Sequence, residues 1–354
     1  MTLPAEAHGF DRHAADKLLG HFARREGEVI ELARALVERE SPSGDWEGSR
    51  AVVDLLEAAL RETGAVGNLS RVVSEGYGVH LRAEAFGPAV GDARPLLLLG
   101  HTDTVHPRGS ISERPWHEAD GRLYGPGVFD MKANCALAVE ALAACARLDL
   151  KPRRPVVLLL TCDEEAGSHA GRALVEREAA RAGQVLVLEP SAPGGRVKTG
   201  RKGTGMFTLR AEGRAAHAGL DPEKGASAVL EMARQIERMH ALGDPSRGVT
   251  VNVGVVAGGT RSNVVPAEAT AEIDLRFETG EDAARLEAAL LNPRPFDERV
   301  RLTASGGVNR PPLERTPEVV KLYERARTLA AVLGFELGET QVGGASDGNF
   351  AAAL

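Results

Sequence analysis

Apolar and polar positions along this chain follow two different periods, and the periods alternate in a regular order. Residues 11–40 set Leu18, Leu19, Phe22, Val29, Ile30, Leu32, Leu36 and Val37 among charges at helical spacing. Ser41-Pro-Ser-Gly44 ends that pattern; residues 47–61 repeat it with Val52, Val53, Leu55, Leu56 and Leu60, and Thr63-Gly64 closes it. Strands are expected near 69–73 and 77–85. The runs Leu96-Leu-Leu-Leu99, 156–162 and 185–188 have no polar face, which predicts strands buried on both sides. Helical patterns at 130–148 and 170–182 separate them. This alternation predicts an α/β domain whose sheet is mostly parallel and flanked by helices.

The pattern changes near 195–203. From there it reads strand (205–211), helix (226–242), strand (250–256), strand (269–277), helix (282–291) and strand (299–304). That β-α-β-β-α-β order is ferredoxin-like and predicts an inserted α+β domain. The expected division is therefore 1–198, first part of the main domain; 199–305, the insertion; and 306–354, where a helix (317–333), a short strand (340–342) and a Gly343-Gly344 loop resume the main domain.

Composition narrows the function. Fifty carboxylates against 43 Lys and Arg give a net charge of −7, which argues against nucleic acid or an anionic membrane as the partner. No apolar stretch approaches a membrane span and the first thirty residues carry no apolar signal core, so a cytoplasmic location is expected. The cysteines, Cys135, Cys145 and Cys162, form no C-x-x-C pair and sit in apolar patterns, as buried thiols do.

The chemistry gathers at the strand ends. The first run ends in Gly100-His101-Thr-Asp103; residues i and i+2 of a strand share a face, so Asp103 stands where it can orient the His101 imidazole. The second run ends in Asp163-Glu164-Glu165, the third in Glu189, and Asp130 follows the Gly125-Pro-Gly127 loop. Taken singly, Asp130 reads as a helix N-cap, and Glu164, Glu165 and Glu189 read as solvated carboxylates. Taken together, they crowd like charges at one sheet edge with no lysine to balance them, at high electrostatic cost unless cations sit there. Adjacent strand-end residues point different ways, so one of Glu164 and Glu165 can bind metal while the other stays free as a base.

His101-Thr-Asp103-Thr-Val, Tyr124-Gly-Pro-Gly-Val-Phe-Asp130-Met-Lys, Asp163-Glu-Glu-Ala-Gly-Ser-His169, Leu188-Glu189-Pro-Ser, Gly213-Arg-Ala-Ala-His217-Ala-Gly and Gly343-Gly-Ala-Ser-Asp347 resemble, in order, the M20 family of co-catalytic zinc peptidases and deacylases, most closely its glutamate carboxypeptidase branch. The resemblance implies a zinc-peptidase-like catalytic domain with a lid that dimerises. It implies two Zn2+, with Co2+ or Mn2+ as substitutes: His101, Asp130 and Glu189 on one ion, Asp130 and Glu165 on the other. Glu164 would be the general base, Asp103 the support behind His101, and the Asp130-Met131 peptide would be cis. His217 would reach the partner's site to stabilise an oxyanion, while Arg276, Asn263 and Gly344 would receive a substrate carboxylate. The alternative for Arg276 is a surface pair with Asp274.

The family supplies a further His beyond the Gly-Gly-x-Ser-Asp loop, and this sequence reaches Leu354 before it. The expectation is that a last strand, helix and ligand lie outside the sequence; the alternative is a natural truncation. The function expected is release of a C-terminal residue, glutamate first, from a peptide or N-acyl conjugate by a cytoplasmic homodimer. An acetylornithine deacetylase-like deacylase is the alternative, and a non-catalytic metal-binding dimer is the alternative of another class. A serine hydrolase built on Ser346 and Asp347 is disfavoured because no G-x-S-x-G elbow accompanies them.

Overall fold

The computed structural model describes residues 10–87, 93–150 and 152–354. Helices α1 (Arg12–Val37) and α2 (Trp46–Glu62) lead into strands β1 (Val66–Ser74), β2 (Gly78–Ala85) and β3 (Leu96–His101). A short helix α3 (Ser110–Glu113) and the hairpin β4 (His117–Ala119) and β5 (Arg122–Tyr124) precede α4 (Ala133–Arg147), β6 (Val156–Thr161), α5 (Arg172–Arg181) and β7 (Gln184–Val187). Next come β8 (Val197–Arg201), β9 (Gly203–Glu212), α6 (Ala228–His240), β10 (Thr250–Gly258), β11 (Glu268–Phe277), α7 (Gly280–Leu291) and β12 (Arg301–Arg310). Helix α8 (Pro317–Leu333), β13 (Glu339–Val342) and α9 (Gly348–Ala352) follow. Among the described residues no helix is long and apolar enough to cross a membrane.

The central sheet has the order β1-β2-β6-β3-β7. Its apolar runs split by the two-residue period of a strand. Val156, Leu158 and Leu160 join the core formed with α1, α2 and α4, whereas Val157, Leu159, Leu97 and Leu99 join the core under α5 and Phe350. Strands β3 and β6 thus bury both faces, as their lack of polar positions requires. Truncating a fully buried side chain such as Leu99 to alanine costs about 2–5 kcal/mol.

The sheet is mixed, not mostly parallel. The pairs β3·β6 and β3·β7 are parallel, but β1·β2 and β2·β6 are antiparallel. The link from Ser74 to Gly78 is a tight turn with Gly76 at φ 80°, too short for the crossover that parallel neighbours need. The pattern before residue 96 lacks an intervening helix, and that is where the parallel expectation fails.

One other expectation shifts, and one element is new. Helix α4 starts at Ala133, and Val128–Lys132 forms a wider turn containing a cis Asp130-Met131 peptide, so Asp130 is not its N-cap. Residues 197–201, to which the apolar pattern assigns no element, form β8, which pairs in parallel with β13. All three cysteines are free, with Cys135 and Cys162 buried.

The second sheet has the order β10-β11-β9-β12, every pair antiparallel, and reproduces the expected β-α-β-β-α-β sequence of elements. Phe207, Leu209, Ile273 and Leu275 on one face pack with Met232 of α6 and Leu286 of α7. Only Lys202 separates β8 from β9, and Arg201 exchanges two backbone hydrogen bonds of 3.0 Å with Leu313 just after β12. The chain therefore enters and leaves this unit side by side.

Candidate metal centre

His101 closes β3 and is buried, with its ring held from both sides. Nδ1 lies 3.0 Å from the Asp103 carbonyl oxygen and 3.4 Å from Asp103 Oδ1. Nε2 lies 3.1 Å from Asp130 Oδ1 and 3.5 Å from Glu189 Oε1. In the neutral imidazole, Nδ1–H facing Asp103 leaves Nε2 as the free ligand nitrogen. Burial opposes a charge on His101, but hydrogen bonds to Asp103, Asp130 and Glu189 outweigh it and raise its pKa well above the ordinary value.

Asp103 also fixes the acidic turn after β6. It accepts from the Glu164 amide at 3.2 Å, the Glu165 amide at 3.0 Å and the Ser43 hydroxyl at 2.6 Å. From the other side, Asp163 accepts from the amides of Ala170 and Gly171 at the head of α5. With its backbone pinned at both ends, the turn splays Glu164 and Glu165. The wider turn carrying Asp130 is seated against β3 by Met131, whose sulfur accepts from the His101 amide at 3.3 Å. A Cβ on Gly100 would come within 2.6 Å of Met131 Cε, so any side chain there would push the methionine tip from this seat.

Burial governs the acids differently. It pushes the Glu164 carboxyl up to about 8, against the opposing charges of His101 and Arg310, and the Glu165 carboxyl up to about 7, against His101. At Glu189 burial is outweighed by the His101 ring and the Arg201 guanidinium, which hold its carboxyl down to about 2. The ligand atoms of His101, Asp130 and Glu165 lie within 4.8 Å of one another, as do those of His101, Glu164 and Glu189. An imidazole among converging carboxylates is a donor set that fits divalent cations, zinc among them.

Six of the expected residues, His101, Asp103, Asp130, Glu164, Glu165 and Glu189, thus meet at the carboxyl ends of β3, β6 and β7. Of the others, His217, Asn263 and Arg276 lie in the second unit, and Gly344 borders the site through Arg201. His217 is exposed in the second unit, bridged to Val264, and its Nδ1 accepts from the Gly219 and Leu220 amides at 3.1 Å each. In the neutral ring this leaves the hydrogen on Nε2. Asn263 is its neighbour there, with its carbonyl accepting from Ala218 at 3.0 Å. Arg276 forms a two-pronged pair with Asp274, both contacts 2.8 Å, the surface alternative. The Gly344 carbonyl accepts from Arg201 at 3.2 Å, and the same guanidinium reaches Glu189 Oε2 at 2.8 Å.

Sequence reasoning missed Arg201 and Arg310. Each is a buried arginine at the end of a strand and grips an acid of the site. Glu164 and Arg310 are 146 positions apart, and no local period marks either arginine.

The M20 "Peptidase dimerisation domain" family matches residues 199–292, and "Peptidase family M28" matches 85–217. The succinyl-diaminopimelate desuccinylase of Verminephrobacter eiseniae is 31% identical over 359 residues, covering 92% of this chain and 86% of the relative. The chain belongs to the M20 family of metallopeptidases. It is accordingly a hydrolase. Carboxypeptidase G2 of a Pseudomonas species is 29% identical over 330 residues, covering 92% of this M20 chain and 78% of the relative. Among solved structures, aminopeptidase PepT of Bacillus cereus has a TM-score of 0.74 at 23% identity, with 92% of this chain and 87% of that one covered, a likeness of fold.

Proposed function

We propose that this M20 hydrolase uses two divalent cations, zinc first, to cleave an amide next to a free carboxylate, releasing a C-terminal residue, glutamate first, from a peptide or N-acyl conjugate. The observation that carries the reading is the convergence of Asp130, Glu165 and Glu189 on buried His101, with Glu164 beside them and gripped by Arg310 rather than drawn onto the imidazole. His101, Asp130 and Glu189 would hold one cation, and Asp130 and Glu165 the other. When bound, the cations supply a water of lowered pKa and polarise the scissile carbonyl. Glu164 takes the proton of the attacking water and passes it to the leaving nitrogen. Asp103 keeps His101 in the tautomer that offers Nε2.

The second sheet supports a homodimer. Its edge strand β10 leaves Val255 and Val256 more than half exposed, Leu230 of α6 is also more than half exposed, and the dimerisation family matches this unit. Pairing there would let the Nε2–H of His217 donate to the partner's scissile carbonyl oxygen as charge builds on it. Arg276, freed from Asp274, would take the substrate carboxylate with Asn263 and the Gly344 backbone.

The desuccinylase match favours a second reading, an N-acyl-amino-acid deacylase with the same catalytic residues. A panel of N-acyl amino acids with matched acyl groups and varied C-terminal residues separates the two. Highest kcat/KM on acylglutamates supports the first; higher kcat/KM on acylated diamino acids overturns it. Glu164→Gln should keep its metal and lose turnover by about 10²–10⁴-fold; retained turnover refutes the base.

A further inference from the structure

The two segments that join the second sheet to the catalytic body each carry a buried arginine at the crossing. Arg201 ends the outgoing strand, and Arg310 ends the returning one, β12, where it faces Thr204 across the ladder. The Arg310 guanidinium lies 5.4 Å from the centre of the Phe350 ring. One of its nitrogens, NH2, faces four acceptors: Ser168 Oγ at 2.7 Å, the Glu164 carbonyl at 2.9 Å, Glu164 Oε1 at 3.1 Å and Asp347 Oδ1 at 3.2 Å. The other, NH1, donates to Asn309 Oδ1 at 3.1 Å. Asp347 is itself fixed by the hydroxyls of Ser168 and Thr161.

Two hydrogens on NH2 cannot satisfy four acceptors at once. Ser168 and Asp347 anchor the guanidinium, which reaches both the backbone and the side chain of Glu164. A carboxylate held to its own carbonyl through one shared donor has a restricted rotamer. With Oε1 engaged, Oε2 is the oxygen left for a proton. Burial and the aromatic face keep water from competing for the donor.

We propose that Arg310 is the positioning residue for Glu164, aiming the carboxylate of the base from the returning strand of the inserted unit. This rests on the reading of Glu164 as the base. On this proposal Arg310 acts on the reaction through Glu164, with Ser168 and Asp347 as its anchors. A plain structural tie between Asp347 and Ser168 is the competing account, and the two differ in what the variants do.

The test uses the metal-loaded full chain and compares Arg310→Lys, Arg310→Met and the combination Arg310→Met with Glu164→Gln, following kcat, KM and bound metal. Lysine keeps the charge near Asp347 but not the planar fork. Both single variants should bind metal like the parent and keep KM within about threefold, while kcat falls about ten- to a hundredfold, the scale of a misplaced catalytic group. In the Glu164→Gln background, Arg310→Met should change the residual kcat by less than about twofold, since its target is gone. Parental kcat in Arg310→Lys overturns the proposal, and so does an undiminished further loss in the double variant. If Arg310→Met does not fold, the lysine variant decides alone. Parental turnover in Glu164→Gln sinks the base reading; an inactive Glu164→Gln with a fully active Arg310→Lys sinks only this inference.

Discussion

Loading the metal-free chain with Zn2+ near pH 6.5 should release roughly two to three protons per site. Hydrogen bonds to Asp103, Asp130 and Glu189, winning over burial, keep His101 protonated at that pH. Glu165, at about 7, is mostly protonated, and Glu164, at about 8, almost entirely so. A ligand must give up its proton to bind metal, and a nearby dication expels the proton of an acid it does not touch. Because these protons are held by the free chain and lost by the loaded one, affinity rises with pH, about tenfold per unit for each proton displaced. The slope should drop by about one proton as pH passes the Glu165 value near 7 and by another past the Glu164 value near 8. Isothermal titration in two buffers of different ionisation enthalpy measures the count from the difference in heat. No release near pH 6.5, or an affinity indifferent to pH, refutes the electrostatic reading of the site.

Lys132 is buried with its ammonium on the carbonyls of Leu36 at 3.0 Å and Arg39 at 2.7 Å. Lys132→Met takes the ammonium donor from both carbonyls, the Leu36 oxygen keeping only its backbone donor from Arg39 at 3.3 Å, and should destabilise the metal-free chain by about 1–3 kcal/mol, read from urea unfolding; an unmoved midpoint refutes the anchoring role. If His217 acts across a dimer, Glu164→Gln and His217→Ala chains, each inactive, should complement when unfolded and refolded together. Random pairing restores about a quarter of the sites, since each mixed dimer holds one site with both groups intact. No recovery in a preparation shown to contain mixed dimers refutes action in trans. Chelation of the loaded enzyme should abolish turnover and lower its Tm together, because metal binding stabilises only the folded chain; turnover that survives complete chelation refutes metal dependence.

What the amino-acid pattern reveals here is local. Leu97, Leu99, Val157 and Leu159 declare doubly buried strands because nothing polar interrupts them, and the acids that follow such runs land at the same edge of the sheet. The order of elements from β9 to β12 is equally legible, each helix having a strong apolar stripe. Direction is harder to read: β1 and β2 look like any two strands, and only the tight link at Gly76 makes them antiparallel. Strand β8 was hidden because its partner, β13, is contributed from the far end of the chain. The arginines were hidden for the same reason. Arg201 sits in a glycine-flanked basic pair and Arg310 before two prolines, contexts that resemble surface loops. Their burial is a product of tertiary contact. Arg276 warns in the other direction, since its partner Asp274 lies two positions away and the nearest acid is the one it holds.

The neck formed by Arg201 and Leu313 bears on how such a chain could be recombined. Replacing residues 203–310 with a short turn would spare Arg201 and its hold on Glu189, yet remove Arg310 from Glu164 and Asp347. The stripped body would keep its nest of ligands and lose the guanidinium that aims the acid beside them. The inserted unit is therefore no detachable cassette: whatever sequence replaced it would have to bring its own cation to that spot.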